Sequence, residues 1–128
     1  MANSNTEALA RPTLPPDAEA EVISGVADHY KLDDSQRRLL FAIRKAENGK
    51  QGREFGVLTP EAMRFADDPD PTKSLQIQAM WAAGTIKKRY KGDLNEFASR
   101  WAPVGAENDP QGLNKNWVRN VSFYMENQ

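Results

Sequence analysis

The sequence has no cysteine and a single histidine, His29. The first absence excludes a disulfide framework, a thiolate nucleophile, a zinc ribbon and an iron–sulfur site. The second means that a His-based zinc site or a Ser/His/Asp triad would have to be built around one residue. No apolar run approaches the roughly 18 residues needed to span a bilayer. The start has no basic segment followed by an apolar one, so no secretory signal is read. Neither sign of charge dominates: 17 Lys and Arg face 18 Asp and Glu. That balance gives no support to a nucleic-acid or membrane-surface protein. Strand signals are also scarce. Only Arg53–Leu58 carries β-like residues, and Gly56 interrupts them.

What is present fits one domain. The chain has 128 residues, with 3 Trp, 3 Tyr and 5 Phe available for a core. Residues 1–16 hold three prolines among small polar residues and read as a flexible leader. A single helical domain is expected over 17–128. Stop and start signals place about six helices. Pro16 and Asp17 open a first, to about 31. Asp33 or Asp34 caps a second, to about Asn48, where Gly49 is the expected left-handed residue after the helix. Thr59-Pro60 and Asp70-Pro71 each pair a cap with proline at the first helical position, giving helices over 60–66 and 71–90. Asp93 caps one to about Trp101. A loop with two prolines and two glycines precedes the last, from Leu113 or Asn114 to Glu126. The fold class is therefore mainly α, with a minimal or absent β-hairpin. The 71–90 segment is apolar nearly all round, which predicts a buried central helix.

One residue breaks the pattern of the second helix. At about 100° per residue, Glu47 falls inside the apolar stripe, between Ile43 and Leu40. An acid there is costly unless paired, neutralised or open to a cleft. Burial and the negative end of the helix dipole both favour its protonated form. A carboxyl that keeps its proton near neutral pH is what a general acid needs. The plainer alternative is a helix-end glutamate that swings to water or pairs with Lys50 or Arg53.

The string AIRKAENGKQGREFGVL, 42–58, resembles the catalytic helix and following segment of lytic transglycosylases and goose-type lysozymes. Glu47-Asn48-Gly49 stands where that family has Glu-Ser-Gly or similar, and Phe55-Gly56-Val57-Leu58 where it has a GLMQ-type stretch. GDLNEFASRWAPVG, 92–105, is similar to the stretch ending in an Ala-Tyr-Asn-Ala-Gly motif, with Trp101 in place of the tyrosine. RWAPVGAENDP also resembles segments of phage-associated and glucosaminidase-like wall enzymes. The resemblance spans roughly residues 20–121 and implies a lysozyme-like globule.

It further implies that Glu47 is the acid that protonates the bond between N-acetylmuramic acid and N-acetylglucosamine. A two-carboxylate glycosidase needs a partner, and Glu54, Asp67, Asp68, Asp93, Glu107 and Asp109 are the candidates. Asp109 stands out by sitting in a Gly/Pro loop beside Asn108. Transglycosylases use one glutamate as acid and then base, with the substrate's own 6-hydroxyl attacking. Sugar binding needs flat apolar faces, for which Phe55, Trp81, Trp101 and Trp117 are the candidates; Trp101, at a helix end, is the best placed, while the helical stripes of Trp81 and Trp117 favour the core for those two. Gly56 is either a turn glycine or a point where the backbone comes close to a sugar. Asn48, Asn108 and Asn114 offer donors and acceptors to acetamido groups. No metal or cofactor is implied, and His29 reads as a helix-end residue that favours the dipole.

The expected partner is therefore the peptidoglycan glycan strand, bound by a monomer, with no nucleic acid and no membrane insertion. The missing signal together with the resemblance points to a phage or prophage protein acting at the wall or carried in the virion. Two alternatives stay open. One is a non-catalytic virion- or wall-associated binding module of the same fold, and the other an unrelated helical interaction domain.

Overall fold

A computed structural model describes residues 14–128. The expected leader lies outside the described residues except for Leu14 to Pro16. Leu14 packs against the core, and Pro16 already begins the first helix. Six α-helices follow: α1 (Pro16–His29), α2 (Asp34–Glu47), α3 (Pro60–Met63), α4 (Pro71–Arg89), α5 (Leu94–Trp101) and α6 (Trp117–Glu126). A 3₁₀ turn, Leu113–Asn116, leads into α6. There is no strand among the described residues, and Arg53–Leu58 is an irregular turn segment.

The starts obey local chemistry. Asp33 caps α2 by accepting from the Gln36 backbone N–H at 2.8 Å, and the Gln36 side chain accepts from the Asp33 N–H at 3.0 Å. This reciprocal capping box satisfies two helix-end donors at once. Thr59, Asp70 and Asp93 cap α3, α4 and α5 in the same single-sided way. The end of α2 differs from expectation. Asn48, not Gly49, takes the left-handed conformation, with φ +46°. Asn tolerates that region better than most residues. Gly49 is needed for another reason: a Cβ there would stand 1.7 Å from the Arg53 carbonyl oxygen.

Two helices share the centre. α2 packs against α1, α4 and α6, and α4 packs against α1, α2 and α3. Leu39, Leu40 and Ile43 of α2 are fully buried against Ala79, Ala82, Ala83 and Ile86 of α4 and its neighbours. Each large aliphatic side chain so buried contributes roughly 1.5–3 kcal/mol. α4 is not enclosed on every side. Trp81, assigned to the core from sequence, is 41% exposed. The apolar residues go round α4 because one face packs inward while the Trp81 face lines a groove. Trp117 does lie in the core, 7% exposed. No helix among the described residues is long and apolar enough to cross a membrane.

Candidate functional site

Glu47 is the last residue of α2 and is partly buried. Its carboxyl does not turn to Lys50 or Arg53; no such ion pair occurs among the described residues. It accepts a hydrogen bond at Oε2 from the Trp117 indole N–H at 3.1 Å. It also lies against Gly56. A Cβ added to Gly56 would stand 2.6 Å from both Cδ and Oε1 of Glu47. Burial pushes the Glu47 carboxyl above the ordinary glutamate range, and the Trp117 hydrogen bond offsets part of that rise.

Gly56 is held there by the loop that follows α2. Its φ of +72° requires glycine, and its close approach to Glu47 does so independently. The turn-glycine expectation is met, and the close approach is to the Glu47 side chain. Gly56→Ala is expected to cost about 1–3 kcal/mol of stability through backbone strain and to displace the carboxyl. A urea midpoint measured beside the carbon-13 shift of the Glu47 carboxyl separates the two effects.

The loop is clamped from α4. Gln78 is fully buried and meets the loop with both ends of its amide. Its oxygen accepts from the Phe55 and Val57 N–H groups at 3.0 and 3.3 Å. Its nitrogen donates to the carbonyls of Gly52, Val57 and Ala62 at 2.9, 2.9 and 3.0 Å. Ser74, one turn earlier, accepts from the Gly52 N–H and donates to Glu54 Oε1. On the other side Arg44 donates to the carbonyls of Gly49 and Glu54 and pairs with Glu19 at 2.7 Å. Sequence reasoning singled out none of Arg44, Ser74 or Gln78. The available signal was a polar residue, Gln78, within the inward-facing stripe of α4.

A cavity of about 510 Å³ opens beside Gly56. Trp81, Arg89, Arg100, Trp101 and Asn108 form much of its wall. Trp101 stacks on Phe97 at 5.5 Å between centroids, and Phe97 stacks on Trp117 at 6.2 Å. An aromatic row thus runs from the cavity wall to the indole that holds Glu47. Trp117→Phe keeps most of this packing and removes the donor. The Glu47 pKa should rise further, so the protonated form persists to higher pH. A carbon-13 NMR titration of the side-chain carboxyl reads that shift directly.

The other candidate residues are distributed unevenly. Gly56, Trp101 and Asn108 line one cavity; Glu47 is not among its lining residues and lies against Gly56, which is. Asn48 is exposed and serves as the left-handed residue closing α2. Phe55 is 0% exposed, so it cannot present a face to a sugar. Its aromatic ring is drawn into the core because Gln78 fixes its backbone toward α4. Asn114 donates to the Pro103 carbonyl at 3.0 Å and helps close the 103–114 loop.

Asp109 is buried, and its carboxylate accepts from the N–H groups of Gly105, Leu113 and Asn114 at 3.1, 2.8 and 3.0 Å. Burial opposes its ionisation, and the bonds from Asn114, Gly105 and Leu113 outweigh it, holding the carboxyl below the ordinary range. Its oxygens are spent on the loop, and Asn108 rather than Asp109 faces the cavity. Glu54 is likewise internal. Burial raises its pKa, while its own backbone, Ser74, Gly52 and Arg44 lower it in part. Asp93 is a helix cap, and Asp68 accepts from the Asp70 N–H and lies 3.6 Å from Lys73. No group of three or more His, Asp or Glu able to hold a metal occurs among the described residues. In comparison with known proteins, no family model, curated protein or solved structure matches the chain.

Proposed function

We propose that the chain is a peptidoglycan-cleaving glycosidase, a lytic transglycosylase or muramidase, with Glu47 as general acid and base. The observation that carries this reading is the Glu47 carboxyl. It is raised toward its protonated form by burial, held by Trp117, and packed against Gly56, which lines an aromatic-walled cavity. Perturbed acids at the edge of concave sites are where acid–base chemistry is found. The resemblance of 42–58 and 92–105 to transglycosylases supports the same assignment.

The chemistry follows from one carboxyl. Protonated Glu47 gives its proton to the glycosidic oxygen as the C1–O bond breaks, and the leaving sugar departs as a neutral alcohol. The resulting carboxylate then takes the proton of the attacking hydroxyl as that oxygen bonds to C1. Where the attacker is the substrate's own 6-hydroxyl, the product is a 1,6-anhydro sugar. Where it is water, the product is a reducing end. Two-carboxylate enzymes place a second acid within about 5–10 Å. Asp109 spends its oxygens on its own loop and Asp93 caps a helix, which favours the single-glutamate route over one with either as partner.

The test is release of soluble muropeptides from purified sacculi, read by mass spectrometry. Anhydro-muropeptides are expected. Hydrated ends would make the enzyme a muramidase or glucosaminidase. Binding to sacculi with no soluble product from folded protein would overturn turnover and leave a wall-binding module.

A further inference from the structure

A second cavity, about 430 Å³, adjoins the one beside Gly56 and shares Trp81, Thr85 and Arg89 with it. Trp81, Thr85 and Arg89, four apart along α4, form the shared wall of a surface that reaches from Gly56 to Tyr30. Its charge is one-sided. Lys88, Arg89 and Arg100 line it, and no carboxylate does. Arg89 and Lys88 have no acidic partner within 4.0 Å among the described residues. Arg100 has only an exposed contact with Glu96 at 3.7 Å, and such a pair is weak and easily exchanged. The chain as a whole carries a net charge of −1, so this clustering is local rather than a general basicity.

One exposed indole, Trp81, one half-buried indole, Trp101, neutral polar edges at Thr85 and Asn108, and a few cations suit a polymer with flat faces and sparse negative charge. Nucleic acid carries a charge on every nucleotide and is met by many more cations. We propose that the cavity beside Gly56 selects a glycan strand bearing carboxylates over a neutral one, with Arg89 and Arg100 receiving the carboxylate. The inference rests on the reading of the chain as a peptidoglycan-binding protein and adds the charge of the strand it prefers. The carboxylate comes either from the lactyl group of a peptide-free strand or from the stem peptide.

Tryptophan fluorescence titration of the full chain carrying Glu47→Gln, which prevents turnover, provides the test. The probes are peptide-free glycan strands, peptide-bearing strands, a neutral N-acetylglucosamine hexamer and a single-stranded oligonucleotide of similar length. At low salt one or both carboxylate-bearing strands should bind about tenfold more tightly than the neutral hexamer, a margin that salt reduces. Whichever binds better identifies the lactyl or the peptide carboxylate. Arg89→Gln with Arg100→Gln should bring the acidic strands down to the affinity that the same variant has for the neutral hexamer. Amidation of the strand carboxylates should do the same without altering the protein. Equal affinity for neutral and acidic strands would overturn the selection while leaving glycan binding intact. An oligonucleotide bound as tightly through the same arginines would overturn the occupant. Absence of binding to every saccharide would bring down the parent reading too.

Discussion

Glu47→Gln is expected to cut muropeptide release by roughly 10²–10⁴-fold, the span that a positioned acid–base group contributes, while the protein stays folded. The amide has the shape of the carboxyl and no proton to give. Its oxygen still accepts from the Trp117 indole N–H, which lies 3.1 Å from Oε2 in the wild type. Gly56 leaves room for either group. The loss should therefore fall on turnover rather than on sacculus binding. Equal release by the variant and the wild type would remove Glu47 from the chemistry.

The same substitution has a pH signature. Burial raises the folded-state pKa of Glu47 above its unfolded value. Its stability contribution is then complete below the unfolded value and is lost as pH rises through the folded value. Glu54 is raised as well and adds to the same slope in both proteins. The stability of Glu47→Gln relative to wild type should thus increase from pH 4 to pH 8, as urea midpoints at the two ends would show. Wild-type activity should fall as pH rises through the folded-state value, as the acid loses its proton. A variant whose relative stability declined with pH would mean that Glu47 is better solvated folded than unfolded.

Glu47 could be found in the sequence because α2 offers a contrast. Charged residues cover its outer face, so one acid on the apolar stripe stands out. The helix borders were legible for a related reason: Asp33, Thr59, Asp70 and Asp93 are short-range signals, and each caps a helix by bonding within three residues. The exposure of Trp81 was not legible. A side chain lining an open groove and one in the core have the same helical spacing, and only the absence of a neighbour over it distinguishes them. Phe55 failed in the opposite direction. A loop aromatic reads as exposed unless the backbone contacts that turn it inward are known. Those contacts come from Gln78, 23 residues away. Asp109 was conspicuous for its turn-rich setting, and that setting is what consumes it.

Gln78→Met should destabilise the protein by about 3–5 kcal/mol, because the thioether keeps the volume and loses every hydrogen bond. The N–H groups of Phe55 and Val57 and the carbonyls of Gly52, Val57 and Ala62 would lose a partner together. Each buried polar group left unpaired costs about 1–3 kcal/mol, reduced where water reaches it. Val57 is only partly buried, which keeps the total below a full sum. Against a typical domain stability of about 5–15 kcal/mol, the loss is large. Ser74→Ala should cost less, since it removes one acceptor and one donor at the Gly52 end of the loop. Amide exchange at Phe55 and Val57 distinguishes local from global loss. If those amides exchange faster while the α2 core stays protected, the loop alone has opened. Gly56 would then leave its place against Glu47, and turnover should fall in a protein whose helices persist. An unchanged urea midpoint would instead mean that water replaces the amide at little cost. The position of Gly56 would then be set from the Arg44 side of the loop, where Gly49 and Glu54 offer the carbonyls.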